Sequence, residues 1–197
     1  MDSSATESSS HLPDHLAGYA NELAAAQKRL GAGASDLAAL LDLIIEKPAT
    51  RDQLCDLIEK SWSSLQSLRE LLKNLEISKT DSAEFTENLT IAQKAIETDA
   101  KPSFAKLKDA LDAAGAHAKK SSVDSILQSK LTEANALACC LERNYDGAAG
   151  HYQIAAELSE SSQDKDAQWR YKSLQASALC DLGRESLDDD KLSEAVA

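Results

Sequence analysis

Aromatic residues, proline and glycine are scarce in this chain. Of its 197 residues, 4% are aromatic, three are proline and seven are glycine. Valine and threonine, which commonly fill β-sheets, are also sparse, whereas alanine, leucine, glutamate, lysine and serine dominate. This composition argues against a β-sandwich or a barrel and predicts an all-α fold.

Positive charge and long apolar runs are also in short supply. The 21 Lys and Arg residues face 33 Asp and Glu residues, which gives a formal net charge of −12. Such an acidic surface repels phosphate backbones and anionic lipid, so we expect neither nucleic acid nor a membrane as a partner. No stretch reaches the roughly 20 apolar residues that cross a bilayer, and residues 1–10 lack the features of a secretory signal. The sequence predicts a cytoplasmic protein.

Motifs for catalysis and metal binding are missing as well. Cys55, Cys139, Cys140 and Cys180 follow neither zinc-site nor disulfide spacing, which fits free thiols in a reducing cytoplasm. A helical hairpin would bring His151 toward the vicinal cysteines, but we interpret it as a rim residue beside inert, buried thiols. The chain has no glycine-rich phosphate loop and no calcium loop. We therefore expect no cofactor, no metal and no catalytic site within these residues.

Three regions differ in their hydrophobic pattern. Residues 1–13 are polar and serine-rich, and we predict a disordered tail. Residues 14–120 show helical periodicity and predict a series of helical hairpins, which are either a separate bundle or divergent repeats. Residues 121–197 follow a different pattern, described below.

The clearest helix in the second region carries an apolar stripe at alternating steps of four and three residues. The stripe consists of Leu54, Ile58, Ser61, Leu65, Leu68, Leu72 and Leu75. A helix of about 25 residues with this stripe needs a partner along its length. The next helix, with Phe85, Leu89, Ala92 and Ile96, follows after a short connection, which favours an antiparallel hairpin. Alternatively, the Leu54 to Leu75 stripe pairs two copies of the chain in a coiled coil.

Small residues recur at fixed places in the segment LTEANALACCLERNYDGAAGHYQIAAEL, residues 131–158. Ala136 belongs to the first of two expected helices, and Ala148, Tyr152 and Ala155 belong to the second. Methyl-sized side chains let two helix axes approach to roughly 8–9 Å, and the tyrosine fills the space toward a following unit. This pattern resembles the tetratricopeptide repeat, a pair of antiparallel helices that stacks into a solenoid.

A second copy of this pattern, cut short, is recognisable further along the chain. The resemblance covers residues 129–197 and assigns packing positions to Ala136, Tyr145, Ala148, Tyr152, Ala155, Ala176, Gly183 and Ala195. Tyr145 belongs to the expected turn of the first copy, and Gly183 ends the first helix of the second. The two copies lie further apart than the family's usual period of about 34 residues, so we expect the excess in loops. These loops would lie at residues 161–166 and between Gly183 and Leu192.

The resemblance also implies where a ligand would bind, since the first helices of such repeats line a concave face. The corresponding residues are Lys130, Glu133, Leu137, Leu141, Arg170, Ser173, Ser177 and Asp181. Lys130 and Arg170 occupy equivalent places, where together they could hold a carboxylate. The family's clamp for chaperone tails needs lysine and asparagine where this chain has Glu133 and Leu137, so we expect no such binding.

These patterns predict a non-enzymatic scaffold or adaptor that binds a peptide or partner helix through its repeats. The sequence stops about one and a half turns into the last expected helix. That favours a second interpretation, a regulatory segment of a larger enzyme or signalling protein that continues beyond residue 197. A self-associating structural module is the third.

Overall fold

Eight α-helices make up the described part of the computed structural model, which comprises residues 20–43, 51–75, 82–97, 102–120 and 124–196. The helices are α1 (Ala20–Leu30), α2 (Ala34–Asp42), α3 (Arg51–Lys73), α4 (Ala83–Ala95), α5 (Phe104–Lys120), α6 (Ser125–Leu141), α7 (Tyr145–Ser161) and α8 (Lys165–Val196). No strand occurs in these ranges, so the all-α prediction is confirmed. The predicted disordered tail, residues 1–13, lies outside the described residues.

The apolar stripe of α3 is buried along its whole length. Each of the seven stripe residues is at most 7% exposed. The N-terminal part of the stripe, from Leu54 to Ile58, packs against α1 and α2 in a small core. The part from Leu65 to Leu75 packs in a larger core with α2, α4, α5 and α6. The stripe is therefore not free for the coiled coil between copies that its spacing would also allow.

The pairing of α3 with α4 differs from the predicted hairpin. The side-chain amide of Gln93, near the end of α4, donates to the backbone oxygen of Leu72, near the end of α3, at 2.8 Å. In an antiparallel hairpin the end of α3 would instead lie beside the start of α4. The apolar side of α4 packs mainly against α5, whereas α3 packs mainly against α6. Helix packing, rather than the short connection, decides which helices are partners.

A buried ion pair joins the N-terminal helices to the larger core. The guanidinium of Arg69 on α3 donates to both carboxylate oxygens of Asp36 on α2, at 3.1 and 2.6 Å. Its third nitrogen, Nε, donates to the backbone oxygen of Ile96 at 2.6 Å. The two side chains are only 13% and 3% exposed, so each charge is neutralised within the protein.

Helix α6 is shared by two cores. Five of its buried residues face the larger core, namely Leu131, Ala134, Leu137, Ala138 and Leu141. Ala136 and Cys139 instead face α7 and α8, which form a second core around small residues. The predicted small-residue positions Ala136, Ala148 and Ala155 are all fully buried there, and Tyr152 is 3% exposed. These three alanines therefore lie in the core that α6, α7 and α8 share, where the first repeat copy expects small side chains.

The turn between α6 and α7 is a helix cap followed at once by a helix start. The N–H groups of Asn144 and Arg143 donate to the carbonyls of Cys139 and Cys140, at 2.9 and 3.1 Å. Arg143 has a φ of 59°, the left-handed conformation that ends helices in this way. The Asn144 side chain then caps α7 by accepting from the N–H of Gly147 at 3.0 Å.

The turn between α7 and α8 repeats this geometry. The N–H groups of Asp164 and Gln163 donate to the carbonyls of Ser159 and Glu160, both at 3.0 Å. Gln163 has a φ of 62°, and the Asp164 carboxylate accepts from the N–H of Ala167 at 3.0 Å. The loop insertion expected at residues 161–166 is therefore absent. Helices α6, α7 and α8 follow one another as equivalent antiparallel units.

Helix α8 does not end where the second repeat copy predicts. It continues from Lys165 to Val196 without a break at Gly183, so the prediction of a loop between Gly183 and Leu192 is wrong. Ala176, expected at a helix crossing, is exposed because no helix of the described chain covers this face of α8. The side chain of Ala195 lies outside the described part of the chain.

Two ion pairs anchor α8 on either side of Gly183. The Asp181 carboxylate accepts from Lys60 of α3 at 2.6 Å. Glu185 accepts from Nε of Arg143, in the turn between α6 and α7, at 2.7 Å. These contacts join α8 to its neighbours on both sides of the position where a glycine would otherwise favour a helix end.

Candidate protein-interaction surface

The concave face implied by the repeat resemblance is covered by α3. Leu137 and Leu141, two of the predicted ligand-facing residues, are buried in the larger core at 8% and 1% exposure. Ser173 and Ser177 on α8 are exposed, and Asp181 is paired with Lys60 of α3. The chain's own helix thus lies where a peptide ligand was expected. Of the eight predicted residues, Leu137, Ser177 and Asp181 line a common pocket, and the eight do not form one open groove.

Glu133 and Arg170, also predicted to face a ligand, bind each other. The guanidinium donates to both carboxylate oxygens, at 2.8 and 2.6 Å, and the hydroxyl of Tyr171 donates to the same carboxylate at 3.0 Å. Glu133 is 5% exposed, and the guanidinium carbon lies 4.7 Å from the centre of the Tyr171 ring. A ligand carboxylate at Arg170 would have to displace Glu133. Arg170 is therefore not available to hold a ligand carboxylate together with Lys130, which is half-buried.

A pocket of about 310 Å³ lies where α3 crosses α6, α7 and α8. Its lining is rich in hydroxyl groups and comprises Lys60, Ser63, Ser64, Ser67, Leu137, Cys140, Tyr145, Tyr152, Leu174, Ser177, Ala178 and Asp181. On the α3 side the pocket is lined by Lys60 and three serines, which lie outside the buried stripe. The one cation and the one anion in the lining, Lys60 and Asp181, are already paired.

The thiols beside this pocket are poor nucleophiles. Burial raises the pKa of Cys140 to about 11, and it also raises the pKa of Cys139. Burial, together with the neighbouring Cys140, raises the pKa of the Tyr152 hydroxyl as well. A thiol with such a pKa is protonated at neutral pH, and only the thiolate is an effective nucleophile. The interpretation of these cysteines as inert, buried thiols agrees with this geometry.

A chain of Ser82, His117 and Glu84 resembles the nucleophile, base and acid of a hydrolase. Ser82 Oγ lies 2.5 Å from His117 Nε2, and His117 Nδ1 lies 3.6 Å from a Glu84 oxygen. However, the same Oγ accepts from the N–H of Phe85 at 3.1 Å and so caps α4. Ser82 and Glu84 are exposed, so water reaches both groups. We interpret the arrangement as a surface helix cap with a histidine partner.

Two further classes of site are absent from the described ranges. No three or more His, Cys, Asp and Glu side chains are grouped so that they could hold a metal ion there. Within the same ranges, no helix combines the length and apolar character that crossing a bilayer requires.

The outer face of α8 is the most exposed apolar surface of the described helices. Trp169 is 71% exposed and Leu179 is 48% exposed. Ala176, Cys180 and Gly183 are exposed on the same side of the helix, at spacings of three, four and seven residues. We call these five residues the outer stripe of α8.

The outer stripe corresponds to a face that α6 buries. Forty positions before Ala176, Leu179 and Cys180 stand Ala136, Cys139 and Cys140 of α6. These α6 residues pack against α7 in the second core. On α6 these positions are covered by the following helix, α7. On α8, the equivalent helix, the corresponding positions are exposed to solvent.

Sequence reasoning missed Trp169, Leu179 and Cys180 as surface residues. The repeat pattern placed a further helix after Gly183 against this face of α8, so these residues were not expected to be exposed. The chain matches no family model, no curated protein and no solved structure.

Proposed function

We propose that this chain is a non-enzymatic interaction scaffold that binds an α-helix of a partner protein along the outer stripe of α8. The observation that carries this proposal is the 71% exposure of Trp169 within a face whose counterpart on α6 is buried. The class of function is the one that the repeat pattern predicts, but the interaction surface lies on α8 and not on the concave face. The formal net charge of −12 argues against a nucleic acid partner.

Trp169 supplies the main energetic reason for binding. A tryptophan side chain that is 71% exposed can bury about 150–180 Å² on association. At about 25 cal/mol per Å², this burial contributes roughly 4 kcal/mol before the cost of association is subtracted. Tryptophan residues are frequent hot spots of protein interfaces for this reason. The small Ala176 and Gly183 on the same face let a partner helix approach closely.

The test uses a helix that this chain already shows to fit such a face. The probe is a lactam-stapled peptide of residues 145–161, the α7 sequence, because α7 covers the equivalent face of α6 and isolated helices of this length are marginal in water. On titration, burial of Trp169 should shift its fluorescence emission to shorter wavelength, and the signal should saturate. Trp62 is half-buried and packs against the larger core, so its emission should stay constant.

Matched variants assign the signal to the stripe. Trp169→Ala should abolish binding, whereas Ile91→Ala, which removes a 41% exposed side chain from α4, should leave it unchanged. A scrambled peptide of the same composition should not bind. With the chain at a concentration at which it is monomeric, a titration of the unscrambled peptide up to about 1 mM without saturable change would show that the assignment of α8 as the interaction surface is wrong.

A further inference from the structure

We infer that the helix received by the outer stripe is α8 of a second copy of this chain, in an antiparallel, two-fold symmetric pair. This inference rests on the proposed function and names its partner. Two-fold pairs use the same patch on both copies, so the patch must complement itself. The centre and the two ends of the outer stripe have this property.

The two ends of the stripe, one with a large residue and one with glycine, are placed symmetrically about Ala176. Trp169 lies seven residues before Ala176 and Gly183 lies seven residues after it. With antiparallel helices and a two-fold axis at Ala176, each Trp169 lies opposite Gly183 of the other copy. The same symmetry places Ser173 opposite Leu179. The largest side chain of the stripe therefore meets the position with no side chain, at both ends of the interface.

The space that Trp169 needs is open at Gly183. A Cβ atom added to Gly183 would have no neighbour within 4 Å, so the backbone is bare on that side. At the axis, two Ala176 methyl groups allow the helix axes to approach to about 8 Å. The second copy would thereby cover the face of α8 whose counterpart on α6 is covered by α7. The row of helices α6, α7 and α8 would continue into the second copy with the same kind of contact.

The size of the stripe indicates how tight the pair should be. From Trp169 to Gly183 the stripe is about 21 Å long, at 1.5 Å per residue. One helix face of this length buries less than the roughly 800 Å² per partner of a standard interface. We therefore expect a reversible dimer whose population depends on concentration.

Sedimentation velocity of the full chain from about 5 to 500 μM tests the inference. A reductant is needed so that a disulfide through the exposed Cys180 does not imitate the dimer. The apparent mass should rise with concentration from 21.1 kDa toward twice that value. Ile91→Ala, away from the stripe, should give the same curve as the unchanged chain.

Two single variants and one double exchange test the pairing itself. Trp169→Ala and Gly183→Leu should each raise the dissociation constant by about 30-fold or more. Leucine is a better helix former than glycine, so the loss with Gly183→Leu cannot be ascribed to unfolding of α8. The double exchange Trp169→Gly with Gly183→Trp restores a large residue opposite a small one and should recover dimerisation.

The outcomes separate this inference from the proposed function. A monomer at all concentrations overturns the second copy as the partner. If the α7 peptide still binds that monomer, the interaction surface stands and another protein's helix is its partner. If the peptide also fails, both proposals fall. A dimer that neither single variant weakens uses another face and likewise overturns the inference.

Discussion

Replacing Arg170 by alanine tests how the second core is held together. The change removes both hydrogen bonds to the buried carboxylate of Glu133 and the stacking contact with the Tyr171 ring. Glu133, whose side chain is 7% exposed, would keep only the hydroxyl of Tyr171, at 3.0 Å. The perturbation therefore leaves a charge inside the protein without its cation.

The expected loss follows from the burial of the two partners. Breaking a fully buried ion pair costs about 3–5 kcal/mol. The side chain of Arg170 is 53% exposed, so solvent screening reduces that figure, whereas the lost cation–π contact adds about 0.5–1 kcal/mol. We expect Arg170→Ala to lower the free energy of unfolding by about 2–3 kcal/mol, a large part of the stability of a domain of this size.

Urea unfolding followed by circular dichroism measures this loss. The control is Arg184→Ala on the same helix, whose side chain is 72% exposed and 3.6 Å from Asp181, and which should cost less than about 0.5 kcal/mol. In Glu133→Gln combined with Arg170→Ala, the buried charge is gone, so part of the loss should return. Equal effects of the two arginine changes, or additive effects of the Glu133 and Arg170 changes, would refute the reasoning.

Two further predictions concern the buried thiol and phenol groups. Because the pKa of Cys140 is about 11, against an ordinary value of 9.0, its thiolate fraction at pH 8 is about 100-fold lower. Iodoacetamide should therefore label exposed Cys180 first and Cys140 only as urea unfolds the chain, as mass spectrometry would show; equal labelling rates contradict this. Burial raises the pKa of Tyr145 from 10.0 to about 12. The folded state then keeps a proton that the unfolded state loses, so stability is intact below pH 10 and should fall by about 2–3 kcal/mol toward pH 12. Tyr145→Phe should flatten that fall in urea titrations at each pH, and an unchanged slope would count against it.

The apolar stripes could be predicted because a helix buries residues at its own period. All seven residues of the Leu54 to Leu75 stripe and the small residues Ala136, Ala148 and Ala155 are buried as their spacing indicates. A pattern of this kind identifies the face of a helix that needs a partner. It does not identify the partner. Helix α3 packs against α6 instead of pairing along its length with α4, and it thereby covers the concave face on which ligand binding was predicted.

The end of α8 could not be predicted, because its cause lies far away in the sequence. A glycine inside a helix costs about 0.5–1 kcal/mol relative to alanine, which makes Gly183 a reasonable helix end when it is considered locally. The contacts of Asp181 with Lys60 and of Glu185 with Arg143 join residues 121 and 42 positions apart, and they hold the helix on both sides of the glycine. No local pattern contains that information.

The long spacing between the two alanine patterns has a different origin from the loops that were expected. Helices α6 and α7 each have 17 residues, and each is followed by a short turn, so the repeating unit is a single helix with its turn. The turns carry little sequence signal because Arg143 and Gln163, not glycine, adopt the left-handed conformation. Because the excess residues form helix and not loops, α8 begins 40 residues after α6, in register with it. Helix α8 then continues past the position that corresponds to the end of α6. It therefore presents the face of a repeat that has no successor in the described chain, and for this reason we place the interaction surface there.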